Sequence, residues 1–373
     1  MSNQLEVTVS SNELSNSLNT KNQVNGIFTN INNTLLSLAT NSGYRIYSMS
    51  SFTQLTETDD SSDIMDMIGA LKIAIPFYES EIILLVGKNQ TSSIKDNQIV
   101  LWNDTKRTQL AMISFDNFNS VINATKITKE CLFIALDNVI HLYEIKSLKQ
   151  ISTITDVMSS NLSMAITYEN NDTYITLCDV QYSNKSNIKV NRYKSTNDVI
   201  VGRNEDVIQT PFNSIYKIAI DSKGEFALVI AENDNRVHVY NTFSKKNIYC
   251  FDIEKMYTRI INVAICKKSS FILVFYADHS IEIYKPRNKG KCECFGGSNK
   301  DKEIPFAKYK YGHRYIDELV SYNVGKDEMN NGFIVRFPKM GEIEMIDSHG
   351  ICQKIKFNTR EKDDIWCYKE IKF

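Results

Sequence analysis

Three features predict that this 373-residue chain is all-β, a seven-bladed WD40-type β-propeller. The first is a pair of matching units between Ser214 and Pro286: runs at 215–220, 225–230, 235–240 and 247–251, then at 259–265, 270–275 and 280–284. Each run is short, rich in β-branched and aromatic residues, and closed by a polar turn such as 221–224 or 267–270. Strands joined by hairpins read this way. The second feature is the period, since three or four strands returning about every 45 residues make one propeller blade. The third is one strand type that occurs seven times, inside the usual range of blade numbers.

Residues 1–22 are rich in Ser, Asn and Thr and read as a polar, weakly ordered start, with one candidate strand at 5–9. The recurring strand is a polar turn followed by alternating apolar residues that end in an aromatic. It stands first at 43–47, then at 97–102, 138–143, 187–193, 235–240 and 280–284. A last copy at 341–346 ends in an aliphatic residue. Continuous apolar runs precede most copies, at 35–39, 81–86, 131–136, 174–178 and 332–337. They are too short for helices, and their unbroken pattern suits strands covered on both faces by neighbouring blades. One helix is placed near 60–71. The expected organisation is a single propeller over 23–373. Its long loops lie at 87–96 and at 285–305, the latter basic, glycine-containing and so flexible.

A net charge of −1 argues against general nucleic-acid binding, which needs a basic face. The amino terminus lacks the basic-then-apolar pattern of a signal peptide, and no apolar run approaches the roughly 20 residues of a membrane span. The eight cysteines are scattered. Cys178, Cys250 and Cys266 fall in or beside strands as small apolar residues. Cys292 and Cys294 form a C-x-C pair without a second pair or a histidine cluster, so no metal is expected. His141, His238, His279, His313 and His349 are far apart, and the first two read as structural residues of strands. No nucleophile–histidine signature, phosphate-binding glycine loop or zinc-protease motif is present, so neither enzyme activity nor a cofactor is expected.

The pattern resembles the PROPPIN family, the seven-bladed propellers of autophagy that bind 3-phosphorylated phosphoinositides. Gly-Tyr-Arg-Ile-Tyr at 43–47 is similar to the family's first-blade strand. Leu-Val-Gly at 85–87, a polar loop and Asn-Gln-Ile-Val-Leu-Trp-Asn-Asp at 97–104 resemble its second blade. Residues 251–284, with Thr-Arg-Ile at 258–260, resemble the junction of its fifth and sixth blades, where a Phe-Arg-Arg-Gly motif stands. The resemblance covers nearly the whole chain and is weakest in blades four and seven. It implies a non-catalytic adaptor, cytoplasmic and peripheral on preautophagosomal, endosomal or vacuolar membranes. The implied lipids are phosphatidylinositol 3-phosphate and the 3,5-bisphosphate. The implied partners are the lipid-transfer or conjugation machinery of autophagosome formation, with the second-blade loop at 88–95 as a contact.

The departures fall on the lipid site. Aligned without a gap, the motif occupies Phe251, Asp252, Ile253 and Glu254, so both arginines and the glycine are replaced. A guanidinium binds phosphate through bidentate, charge-assisted hydrogen bonds; a carboxylate repels it and isoleucine offers no donor. The hydroxyl positions of the preceding blade fall on Val229, Ala231 and Asn235, and a family histidine falls near Pro211. In the next blade Thr258 and Ser280 keep hydroxyls, with Arg259 and His279 beside them as a residual phosphate site. The basic loop carries Lys285, Arg287, Lys289, Lys291, Phe295, Lys300 and Lys302, and matches a family loop that contacts membranes. Near an anionic surface each such cation gains on the order of 1 kcal/mol. For each group the plainer reading is a solvated turn or loop. Two functions therefore stand side by side: an autophagy adaptor at phosphoinositide membranes with weakened or lost lipid binding, or a protein-only scaffold, a lipid-independent WD40 interaction module.

Overall fold

The computed structural model describes residues 23–372 apart from 59–65, 116–119, 158–164, 170–172, 183, 197–198, 222, 233, 235, 254–259, 267–270, 277, 279, 286–306, 311–332, 348–350 and 362–364. The chain folds as a seven-bladed β-propeller; among the described residues there are seven antiparallel four-stranded sheets, each made of consecutive strands. The blades span 24–57, 71–114, 124–154, 165–208, 215–252, 260–310 and 333–372. Blades one and two belong to a first compact unit that runs to Ser120, and blades three to seven to a second, Val121–Lys372. The expected weak order of 1–22 and the loop from 286 to 305 lie outside the described residues.

In blades two, three, five and six the second strand carries the continuous apolar run, and it is buried almost throughout. Ile82–Gly87 in blade two, Cys131–Ala135 in blade three and Ile272–Tyr276 in blade six show this pattern. The apolar clusters lie between successive sheets. In the first unit Tyr44 and Ile46 of blade one pack on Leu71, Leu85 and Trp102 of blade two. In the second unit, clusters join blades three and four, four and five, five and six, and six and seven. Each large apolar side chain so covered contributes about 1.5–3 kcal/mol. The motif segments of the first two blades also touch: the Tyr44 hydroxyl donates to Asp104, whose second oxygen accepts from Thr56 at 2.9 Å.

The turn from third to fourth strand repeats in a way that no glycine marks. Phe52, Arg107, Leu148 and Lys245 hold φ of 57°, 53°, 51° and 60°. The third strand before each shifts register, between Ile46 and Tyr47, Leu101 and Trp102, Leu142 and Tyr143, and Val239 and Tyr240. A type I turn closed by a left-handed residue and a bulge has this form.

Two expectations need correction. The last strand copy, at 341–346, falls on Glu342–Asp347, the second strand of blade seven and not the third. It alternates like an outer strand because Glu344 is accommodated inside, bonded by Arg336 at 2.6 Å and Lys354 at 3.3 Å. The helix expected near 60–71 comes down, among the described residues, to one turn at 66–68, and Leu71 already opens a strand.

Candidate functional site

The rim between blades five and six is built by three stretches of the second unit. The fourth strand of blade five, Asn247–Asp252, pairs with the third, Arg236–Asn241, so that Arg236 stands opposite Asp252 and Val237 opposite Phe251. Alternation then sorts the motif positions. Phe251 and Ile253, two apart in extended chain, turn inward and are only 3% and 4% exposed; Asp252 between them is half-buried. Phe251 stacks against Tyr284 at 4.4 Å, and Ile253 joins the same cluster with Ile260, Val263 and Tyr276. Ile253 is thus a plug in the seam between the blades. Its position does more than lack a donor, because a guanidinium there would lose its water without gaining a partner.

Three polar side chains of this rim, Asp234, Arg236 and His238, bond to one another. Asp234 precedes the third strand of blade five and takes Arg236 on both oxygens, Nε at 2.9 Å and Nη2 at 3.2 Å. Its Oδ2 also meets His238 Nε2 at 3.0 Å. Burial pushes the Asp234 carboxyl up, but the hydrogen bonds from His238 and Arg236 outweigh it and hold the group below the usual carboxylate range. His238 is buried, with the Phe212 ring tilted against it at 4.7 Å between centroids, and its Nδ1 faces Asn247 Nδ2 at 3.1 Å. The strand reading of His238 is in keeping with this place. Asp252 has no ion-pair partner among the described residues, and its charge helps to raise the Arg236 pKa, after the Asp234 bond.

Ser280, the hydroxyl expected to remain in blade six, is buried and donates to Asp278 Oδ1 at 2.5 Å, with its backbone N–H on the same oxygen at 3.1 Å. Two residues further along the strand, the buried Glu282 carboxylate accepts the hydroxyls of Tyr276 and Tyr284 at 2.5 Å and 2.7 Å. Burial foremost, then the neighbouring tyrosine and carboxylate, pushes the Tyr276 hydroxyl far up. Glu254, Thr258, Arg259 and His279 lie outside the described residues, as do Arg287, Lys289, Lys291, Phe295, Lys300 and Lys302. Lys285, the described end of the basic loop, sets its ammonium over the Phe271 ring at 5.7 Å and donates to the Thr359 carbonyl at 3.4 Å. The rim residues that sequence reasoning missed are Asp234, Arg236 and Asp278. The available signal was partial: alternation along the strand sets Arg236 and His238 on one face, and Asp234 stands just before it.

The loop of blade two is docked on its blade. Ile94 is buried, Gly87 N–H donates to the Lys95 carbonyl at 3.3 Å, and Lys88 N–H to that of Ala70 at 3.0 Å. A Cβ at Gly87 would stand 1.6 Å from the Ile94 carbonyl oxygen, so only glycine fits there. The Lys88 ammonium is held by the carboxamides of Asn25 and Asn41 at 2.9 Å and 3.0 Å. Burial pushes the thiols of Cys131, Cys178 and Cys352 up to about 12, which suits packing and not nucleophilic chemistry. Among the described residues no group of His, Cys, Asp and Glu is arranged to hold a metal, and no helix is long and apolar enough to cross a membrane.

No family model matches the chain. The mouse (Mus musculus) WD repeat domain phosphoinositide-interacting protein 1 is 24% identical over 143 residues, 38% of this chain and 29% of the relative. Autophagy-related protein 18 of Komagataella pastoris is 22% identical over 289 residues, 69% of this chain and 51% of the relative. The chain thus spans about half, or less, of the length of these curated relatives. Among solved structures, Kluyveromyces lactis Hsv2 superposes with a TM-score of 0.68 at 11% identity, covering 94% of this chain and 99% of that one. KlAtg21, in its complex with the coiled coil of AgAtg16, gives 0.70 at 15% identity over 94% and 99%. These structures share the fold, and the blade motifs and sequence relatives point the same way. The chain is a seven-bladed β-propeller similar in sequence to a WD repeat phosphoinositide-interacting protein and to autophagy-related protein 18.

Proposed function

We propose that this protein is a non-catalytic autophagy adaptor that works through protein contacts at phosphoinositide-containing membranes, with phosphoinositide binding at the rim of blades five and six weakened or lost. The pair Asp252 and Ile253 carries this reading: the resemblance aligns Asp252 with a lipid-binding arginine, where a carboxylate would repel phosphate, and Ile253 is 4% exposed and part of the core. The names of the relatives, a phosphoinositide-interacting protein and an autophagy-related protein, support the setting. The cytoplasmic and peripheral location on preautophagosomal, endosomal or vacuolar membranes belongs to the same proposal. Vesicle flotation tests it. The purified chain is expected to stay soluble with vesicles that carry phosphatidylinositol 3-phosphate or the 3,5-bisphosphate; flotation that depends on either lipid would refute the loss.

For the protein contact, blade two offers an edge. Its outer strand, Thr108–Ser114, carries no charged residue, and Leu110 and Met112 are 50% and 48% exposed on one face. Such an edge suits an apolar segment of a partner. The coiled coil seated on KlAtg21 makes a helical autophagy protein the natural class. If lipid binding is wholly absent, the protein-only scaffold remains, and the closed pairing of Asp234 with Arg236 and His238 favours it.

A further inference from the structure

Asp234 is bonded as a ligand would be. Two nitrogens of one guanidinium lie along its two oxygens, and a ring N–H closes on one of them. This is how arginine recognises carboxylate or phosphate. The donors are set in advance. The Asn247 amide donates to His238 Nδ1, so the ring proton resides on Nε2 and is aimed at Asp234. Phe212 fixes the ring, and the strand fixes the spacing of Arg236 and His238. His238 is 3% exposed, whereas Arg236 is 38% exposed, so the cradle has a buried floor and an open lip. Asp252 lies on the neighbouring strand directly opposite Arg236.

We infer that Asp234 is a built-in counter-anion: it fills an anion cradle made by Arg236, His238 and Asn247 at the rim of blade five, and so keeps phosphate monoesters out. A phosphate monoester offers the same acceptors in the same bidentate arrangement. Without Asp234 the guanidinium and the ring N–H are left unpaired, and a mobile anion supplies what they lack. The inference rests on the reading that the rim does not bind phosphoinositides, and it assigns the cause to one side chain of blade five, where that reading rested on the motif positions.

The test is chemical rescue. Thermal unfolding of the full chain and of Asp234→Ala is followed in inorganic phosphate and in chloride at equal ionic strength. The variant is expected to unfold earlier than wild type in chloride and to regain roughly 3 °C or more in phosphate, while wild type does not respond. Arg236→Ala added to Asp234→Ala should abolish the gain. An equal response of wild type and variant, or a gain that survives Arg236→Ala, overturns the inference. If Asp234→Ala does not fold, Asp234→Asn keeps the shape without the charge; phosphate binding is then read by phosphorus NMR, and its absence also overturns the inference. Flotation with phosphatidylinositol 3-phosphate vesicles, with and without competing free phosphate, tells headgroup from free anion. Lipid-dependent flotation of wild type would sink the reading of a silent rim. A soluble wild type beside a variant that gains neither phosphate nor vesicles sinks only the counter-anion.

Discussion

Asp234 and Asp179 are two sunken carboxylates of the same compact unit, 16% and 2% exposed, and their surroundings drive them in opposite directions. Asp234 is held below the usual range because His238 and Arg236 donate to it. Asp179, at the seam of blades four and five, is pushed up to about 6 by burial. Its helpers are the Ser186 hydroxyl at 3.3 Å and the Ile215 backbone N–H, and Oδ1 finds no hydrogen-bond partner among the described residues. The difference is the supply of charged donors. At the rim the chain balances Asp234, so the Arg236 guanidinium is already occupied. At the seam it tolerates an anion that it does not balance.

Four variants would break or sharpen this contrast. The largest effect is expected from Ile253→Arg, which sets a guanidinium in the seam of blades five and six; a loss of roughly 3 kcal/mol or more should appear in urea unfolding. A variant as stable as wild type would mean that the side chain reaches water and that the position is a rim position after all. Asp179→Asn comes next, with a gain. A carboxyl whose folded pKa is raised contributes stability that is fully present below the unfolded value near 4 and lost as pH rises through about 6. Replacing it should stabilise the fold at pH 7.5 by up to roughly 3 kcal/mol, with the advantage fading between about pH 6 and pH 4. A gain that does not depend on pH would contradict the assignment.

Asp234→Asn should do the reverse. A depressed carboxyl contributes stability that is present above the unfolded value and lost as pH falls through the folded one. The variant should therefore lose about 1–2 kcal/mol at neutral pH and little in acid, as read from unfolding midpoints across pH. The smallest change in stability, within about 0.5 kcal/mol, is expected for Leu110→Asp with Met112→Asp on the edge of blade two. The same pair should weaken capture of a coiled-coil autophagy partner at least tenfold in titration calorimetry. Undiminished binding would move the contact elsewhere.

Much of the fold is legible in the sequence because the second strands are covered on both faces. Runs such as 81–86 and 131–136 stay apolar whatever their neighbours, and they set the period. The copy at 341–346 misled because a buried ion pair at Glu344 imitates the polar face of an outer strand. The left-handed turns at Arg107 and Lys245 were silent because the αL residue there is not glycine. At the rim, alignment located 251–253, and alternation says that Phe251 and Ile253 share a face. Which face meets the next blade is set by Tyr276 and Tyr284, far along the chain. The closure of Arg236 by Asp234 was equally hidden, since the strand pattern shows shared sides but not which charges meet.

Titration calorimetry with the soluble headgroup inositol 1,3-bisphosphate tests the central claim most directly, because it isolates the rim from the basic loop and from the bilayer. Wild-type protein is expected to give no saturable heat at millimolar headgroup. Saturable binding in the micromolar range, lost when Arg236 is changed to Ala, would show that the rim still takes phosphate and that its carboxylates do not close it.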